Sequence, residues 1–175
     1  MSEEALLFGT RDYLRRALSL TDEQCGVQIE GRPPAVFGDV FVGVAPAEWR
    51  SDGLQEQILD ETFGIEVHCL RRASVAPRSK QADKIVYGTL GSLNSLIRQV
   101  MLAIHMNYEL LNVVNAEITG TQPKFFQPLR WRSTDRPQIR DGSQWNAQPD
   151  QLAGLARTVH FGGAQRYQTM GSSTA

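Results

Sequence analysis

The sequence predicts a single α+β domain in which two helices pack on one face of an antiparallel or mixed β-sheet. Three observations lead to this fold class: an amphipathic helical pattern near the N-terminus, a stronger one near the middle, and β-type segments around them. A parallel nucleotide-binding sheet would need repeated strand–helix alternation, and this chain has one such crossover at most. Long loops and a C-terminal arm complete the prediction.

The N-terminal third is predicted to contain one helix and two strands. Residues 3–19 have an apolar stripe that begins at Leu7 and recurs at helical spacing, with arginines on the opposite face. A short strand is predicted over residues 27–30. A Val- and Phe-rich strand bounded by prolines is predicted over residues 36–44.

The clearest strand signal begins at Glu61. Apolar and polar residues alternate there, and the residues expected to face the core are Phe63, Ile65, Val67 and Cys69. This pattern is typical of an antiparallel strand with one buried face. The preceding residues, 45–60, are predicted to form an extended loop.

A basic segment and a second helix follow. Residues 71–82 are basic and small and contain a proline, so they are predicted to form an exposed loop. Asp83 is suited to cap the next helix. Its apolar residues are spaced by four and three in turn: Val86, Leu90, Leu93, Ile97, Val100 and Ile104. We expect this stripe to pack on the apolar face of the strand that begins at Glu61.

The C-terminal part has weaker signals. Residues 120–149 are predicted to be a third extended segment, interrupted by a short strand over 129–134. A last strand is predicted over 155–161, ended by two consecutive glycines. The single domain then spans residues 1–167, and residues 168–175 form a flexible polar tail.

The composition excludes several classes of protein. With 41% hydrophobic and 21% charged residues and a net charge of −1, the chain is neither a strongly basic nucleic-acid binder nor wholly disordered. It has no apolar run near the ~18 residues that a membrane helix needs, so no membrane association is expected. The acidic N-terminus lacks the features of a signal peptide. Cys25 and Cys69 have no motif spacing, which favours free thiols in a reducing cytoplasm.

Sequence motifs for catalysis are lacking. The sequence contains no phosphate-binding loop, no dinucleotide-binding glycine pattern and no zinc-ligand spacing. His68, His105 and His160 are expected to be hydrogen-bonded or solvated rather than metal ligands. We therefore expect a protein that is not an enzyme and has no catalytic residues, metal or cofactor.

Two alternatives remain open at this point. One is a small metal-dependent nuclease or hydrolase built on Asp60, Glu61, Glu66 and a histidine, because paired carboxylates can hold magnesium. The other is a monomeric module that binds a protein or a small ligand.

Charged and aromatic residues are instead distributed as in a protein that works through its surface. Six acidic residues lie between Glu48 and Glu66, whereas five basic ones lie between Arg71 and Lys84. Such segregation can orient a subunit against a neighbour. Tryptophan and arginine are enriched at interface anchor positions. The interface candidates are Arg71, Arg72, Arg78, Lys80, Trp49, Trp131, Trp145, Arg136 and Arg140.

Taken in order, these elements resemble the tail-terminator and tail-completion (head–tail joining, neck) family of long-tailed bacteriophages. The resemblance covers most of residues 3–167, and the segment from Gly120 to Pro149 departs from its simplest pattern. It is carried by the helix with Arg11–Leu18, by Gly38–Val44, by Thr62–Val67, by the second amphipathic helix and by the closing strand near Val159–Phe161.

The resemblance implies a structural role in the virion. Members of this family form a homo-oligomeric ring, commonly of six subunits, that terminates the tail tube and presents a surface to the head connector. Their partners are then the tail tube protein, the connector and the DNA that passes through the ring without sequence recognition. The protein is expected to be made in the host cytoplasm and to be located at the head–tail interface.

Overall fold

The computed structural model describes residues 3–30, 38–55, 57–72, 82–106, 125–140 and 154–168. The described helices are α1 (Glu3–Ala17) and α2 (Ala82–His105). The described strands are β1 (Cys25–Val27), β2 (Val40–Gln55), β3 (Ile58–Arg72), β4 (Phe125–Thr134), β5 (Gln138–Arg140) and β6 (Gly154–Gln168). These elements confirm the predicted α+β class. Neither described helix has the length and hydropathy that a membrane span requires.

The strands form one mixed sheet. Their order is β1-β2-β3-β6-β4, and β5 pairs with β6 on the same side as β4. Only β1 and β2 are parallel; the other described pairs are antiparallel. Val44, Val67 and Val159 lie opposite one another on three neighbouring strands, so they share one face of the sheet.

Both helices pack on that face. The α2 residues Leu93, Ile97, Val100 and Ile104 are buried in one cluster with the β3 residues Phe63, Ile65, Val67 and Cys69 and the α1 residues Leu6, Leu7 and Leu14. Burial of each large aliphatic side chain stabilises the fold by roughly 1.5–3 kcal/mol. The predicted packing of the helical stripe on β3 is therefore confirmed for the residues whose side chains are described.

The first helix ends two residues earlier than predicted, for a local reason. Ser19 has φ of 53°, the left-handed conformation that terminates helices. The amide of Leu20 donates to the carbonyl of Arg15 (2.8 Å), and the amide of Ser19 donates to that of Arg16 (3.2 Å). These two bonds satisfy carbonyl groups that a helix end otherwise leaves unpaired.

The predicted loop over residues 45–60 is wrong. Strand β2 continues to Gln55 and β3 begins at Ile58, so most of this segment forms a long antiparallel hairpin. Many side chains near its tip are polar or exposed on both faces of the sheet. A hairpin of this kind has no apolar alternation from which a strand could be recognised.

Two further loop boundaries also differ. Arg71 and Arg72 belong to β3, where they lie opposite Leu155 and Gly154, so the predicted exposed loop does not begin at residue 71. Residue 82 is already the first residue of α2, and residues 73–81 are outside the described ranges. The segment 120–149 contains β4, which starts four residues before the predicted strand, and β5.

Strand β6 continues through the two glycines that were predicted to end it. Gly163 is required there by packing: a Cβ atom at this position would lie 2.7 Å from the carbonyl oxygen of Gln127 and 2.7 Å from the ring of Phe63. The glycine is thus a site of close approach between strands rather than a turn. Gln168 closes β6, so the predicted tail begins at residue 169 at the earliest, outside the described ranges.

Both cysteines are buried free thiols, as expected for Cys69 from its strand position. Burial raises the pKa of Cys25 to about 11 and that of Cys69 to about 12, compared with an ordinary value of 9.0. Since the thiolate is the reactive species, both side chains should react slowly with thiol reagents in the folded protein.

We expect iodoacetamide at pH 8 to label neither cysteine appreciably in the native protein, whereas both should react fully in concentrated urea. Labelling of the native protein should be slow because pH 8 lies far below both raised pKa values, so the reactive thiolate fraction is small. Mass spectrometry of quenched samples measures this. Rapid native labelling of Cys69 would contradict its burial in the core.

Candidate functional site

The sheet face opposite the helices carries a group of polar side chains. On β3, Glu66 and His68 alternate with the core residues of that strand and therefore point away from the helices. On β6, His160 lies opposite Glu66 and Thr158 lies opposite His68. Side chains that are directly opposed on paired strands lie close together on one face.

These side chains form a connected network around one carboxylate. His68 Nε2 lies 3.5 Å from Glu66 Oε2, and His160 Nδ1 lies 3.7 Å from Glu66 Oε1. The second ring nitrogen of each histidine is also engaged: His68 Nδ1 is 2.9 Å from Thr158 Oγ1, and His160 Nε2 is 2.9 Å from Asp135 Oδ1. These five residues line a groove in the protein surface, which we call the polar groove.

The connection between β4 and β5 supplies Asp135, and backbone contacts fix its position. Its amide donates to the carbonyl of Thr158 (2.8 Å), and its own carbonyl accepts a hydrogen bond from Arg157 Nε (2.7 Å). Arg157 Nη1 also donates to Asn94 Oδ1 of α2 (2.8 Å). The groove has a volume of about 260 Å³ and is further lined by Leu70, Arg136, Gln138, Ala156 and Arg157.

The groove residues do not have the geometry of a nucleophile–base–carboxylate triad. Thr158, His68 and Glu66 follow one another in the order of a hydroxyl nucleophile, a general base and an orienting carboxylate. The 3.5 Å between His68 and Glu66 exceeds hydrogen-bond reach, however, and Glu66 is shared with a second imidazole. Among the described residues, no group of three or more His, Cys, Asp or Glu side chains is placed to hold a metal ion.

The carboxylates of the nuclease hypothesis are not brought together. Asp60 and Glu66 lie on the sheet face opposite α1 and α2, but they are six positions apart along β3, a distance of roughly 20 Å. Glu61 points to the other face, where its carboxylate accepts hydrogen bonds from Gln165 Nε2 (2.7 Å) and Ser51 Oγ (3.3 Å). The predicted acidic cluster therefore does not form one site.

Asp60 instead forms a two-pronged ion pair with Arg166. The distances are 2.6 Å from Nε to Oδ1 and 2.9 Å from Nη2 to Oδ2. The hydrogen bond from Arg166, more than the charge attraction, holds the pKa of Asp60 below its ordinary value. The pair joins β3 to β6 beyond the polar groove.

The tryptophan candidates differ in their surroundings. Trp49 is half-buried and stacks on Phe63, with ring centroids 5.4 Å apart, so it belongs to the edge of the core. Trp131 is 41% exposed; its Nε1 donates to Thr134 Oγ1 (3.0 Å), and its backbone amide donates to His105 Nδ1 (3.1 Å). Trp145 lies outside the described residues.

The cationic candidates are also separated. Arg71 and Arg72 are half-buried at the end of β3, so they are not part of an exposed loop. Arg136 is exposed beside the polar groove, and Arg140 ends β5. Arg78 and Lys80 lie outside the described residues.

Exposed carboxylates are concentrated on one side of the sheet and exposed arginines on the other. On the side of β1 and β2, five exposed acidic residues form what we call the acidic edge: Asp22, Glu23, Glu30, Glu48 and Asp52. Asp39 and Arg50 are also exposed on this side. On the side of β4 and β5, the basic edge consists of Arg130, Arg132 and Arg136. Strands β3 and β6 separate the two edges.

Sequence reasoning missed the polar groove as a unit. The period of β3 did indicate that Glu66 and His68 share a face. The pairing of β3 with β6 and the contact from Asp135 are long-range, with the Glu66–His160 register spanning 94 positions, and no local pattern encodes them.

Neither protein-family models nor curated protein sequences give a match to this chain. The resemblance to bacteriophage tail-terminator proteins therefore stays a prediction.

Proposed function

We propose that this protein is a structural subunit that assembles with copies of itself into a ring at the head–tail joint of a tailed bacteriophage. The ring, which the family resemblance suggests contains six copies, would terminate the tail tube and meet the head connector. The observation that supports self-assembly best is the long outer edge of β2.

Most of that edge has no strand beside it among the described residues. Strand β1 pairs with β2 only from Val42 to Val44, whereas β2 continues to Gln55. An edge of this length presents a row of backbone donors and acceptors to another chain. It is therefore a natural place for a second copy to pair.

The direction of the backbone groups can be traced along the edge. Val42 donates to the carbonyl of Gln24 (2.8 Å), and the carbonyl of Val44 accepts from Gln28 (2.8 Å), so both residues point their peptide groups away from β3. Alternate residues of an antiparallel strand share this direction.

Peptide groups beyond the register shift that follows Pro46 point in the same direction, away from β3. Val44 lies opposite Val67 of β3, and Ser51 lies opposite Glu61, which is an even number of residues from Val67. Ser51 therefore also points its amide outward. Pro46, opposite Ile65, occupies another outward position, where its missing N–H removes no bond to β3.

A pairing through this edge produces a ring if it is head-to-tail. Contacts between two different surfaces of one subunit close into a ring when the rotation between neighbours allows it. Because the β2 edge and the β4–β5 edge lie on opposite sides of one sheet, successive copies can continue around a circle. Light scattering should then give a particle mass of at least three times 19.5 kDa, the mass of one chain.

Ser51→Pro is expected to weaken assembly while the subunit remains folded. Proline removes an outward amide that the β2–β3 ladder does not use, and edge strands tolerate it. With about one hydrogen bond lost per interface, plus the bulk of the ring at the edge, the concentration for half-assembly should rise roughly tenfold. Multi-angle light scattering over a dilution series measures this shift.

Ser51→Ala is the matched control. It removes only the hydroxyl contact to Glu61, which is exposed, and should assemble like the parent. Equal assembly of the proline variant would show that the β2 edge is not the pairing surface. A parent that is monomeric at every concentration would favour the alternative of a monomeric binding module.

A further inference from the structure

We infer that neighbouring copies meet by placing the acidic edge of one subunit against the basic edge of the next. This inference rests on the proposed ring assembly and adds which two surfaces are joined and what sets their order. Each edge thus binds a second copy of this chain.

The acidic edge combines charge with an exposed apolar side chain. Ile29 is 72% exposed and lies two residues after the end of β1, next to Glu30. It lines a shallow depression of about 540 Å³ together with Phe41 and three of the acidic residues, Asp22, Glu23 and Glu30. Within the subunit, Asp22 pairs with Arg15, and Glu48 lies 3.4 Å from Arg50.

The basic edge has the complementary composition. Arg132 and Arg136 are exposed and Arg130 is half-buried, and none of the three forms an ion pair with another described residue. The nearby carboxylate of Asp135 is engaged by His160 (2.9 Å). Trp131, 41% exposed, provides an apolar side chain among these arginines.

The placement of the two edges favours contact between copies over contact within one. They lie on opposite sides of the sheet, three to four strand spacings or roughly 14–19 Å apart, so the acidic edge and the basic edge of one subunit do not contact each other. Complementary charges fix the orientation of neighbours, and like charges opposed across an interface cost several kcal/mol. Ile29 and Trp131 would supply apolar contact at the centre of the interface.

Charge reversal of either edge alone is expected to prevent assembly. One variant carries Glu23→Arg and Glu30→Arg, and the other carries Arg132→Glu and Arg136→Glu. Each then opposes like charges at every interface, so the concentration for half-assembly should rise at least roughly tenfold. Analytical ultracentrifugation measures this, and far-UV circular dichroism should match the parent.

Combining the reversals is expected to restore assembly. In an equimolar mixture, the reversed edge of each variant faces the reversed edge of the other, and native edges face native ones. Alternating rings can then form if the number of subunits is even. A single chain with all four substitutions restores complementarity without that condition and should assemble like the parent.

The outcomes separate this inference from the proposed function. A parent that never assembles defeats both. A parent that assembles alongside variants that assemble equally well leaves the ring intact and overturns the pairing of edges, as does failure of the four-substitution chain to recover assembly. If a reversed variant does not fold, the neutral pairs Glu23→Gln with Glu30→Gln and Arg132→Gln with Arg136→Gln take its place, and each should weaken assembly at least threefold.

Discussion

Replacing Ile97 with aspartate is expected to leave no soluble, folded protein. Ile97 is 5% exposed and lies in the cluster that joins α2 to the sheet and to α1. An unpaired carboxylate at that position costs several kcal/mol, in addition to the lost burial of the isoleucine. Because a domain of this size is stable by only about 5–15 kcal/mol, one such change can remove most of its stability.

Leu102→Asp provides the matched control for this prediction. Leu102 lies on the same helix, and here too an aliphatic side chain is replaced by aspartate, but the Leu102 side chain is 56% exposed. Its substitution should cost only about 1 kcal/mol, from the lower helix propensity of aspartate and its position in the last turn of α2. Soluble yield and far-UV circular dichroism distinguish the two variants. A folded Ile97→Asp protein as stable as Leu102→Asp would show that α2 does not pack as described.

Adding one methyl group at Gly163 is expected to destabilise the protein by about 1–3 kcal/mol. The new Cβ would lie 2.7 Å from the Gln127 carbonyl oxygen, which belongs to the backbone of β4, and equally close to the Phe63 ring. Backbone cannot move away without loss of the pairing between β4 and β6. The cost of Gly163→Ala is therefore strain across two strands.

Gly91→Ala should act in the opposite direction. A Cβ at Gly91, on α2, would have no atom within 4 Å among its surroundings, and alanine is favoured over glycine in a helix by up to ~1 kcal/mol. Urea unfolding should therefore give a lower midpoint for Gly163→Ala and a higher one for Gly91→Ala. Equal midpoints would mean that the close approach at Gly163 relaxes freely.

Local sequence patterns predict only part of the polar groove. The two-residue period of β3 assigns Glu66 and His68 to one face, and this could be predicted from the sequence. Their contacts with His160, Thr158 and Asp135 depend on which strand lies beside β3 and in which register. The neighbour and register of β3 are set by burial of the sheet face that packs against the helices. The spacing of residues within β3 alone therefore could not predict the network.

The sequence by itself determined α2 and the inner half of β3, because one face of each is buried in the core and their apolar residues recur with the period of the element. Only the tertiary structure decided the outer hairpin of β2 and β3, whose strands are held by backbone pairing with little burial to mark them. It also decided that Gly163 continues a strand, since the neighbouring Phe63 ring and the β4 backbone occupy the space of a side chain. Local periodicity records burial on one side of an element, whereas strand neighbours and close approaches depend on residues distant in the chain.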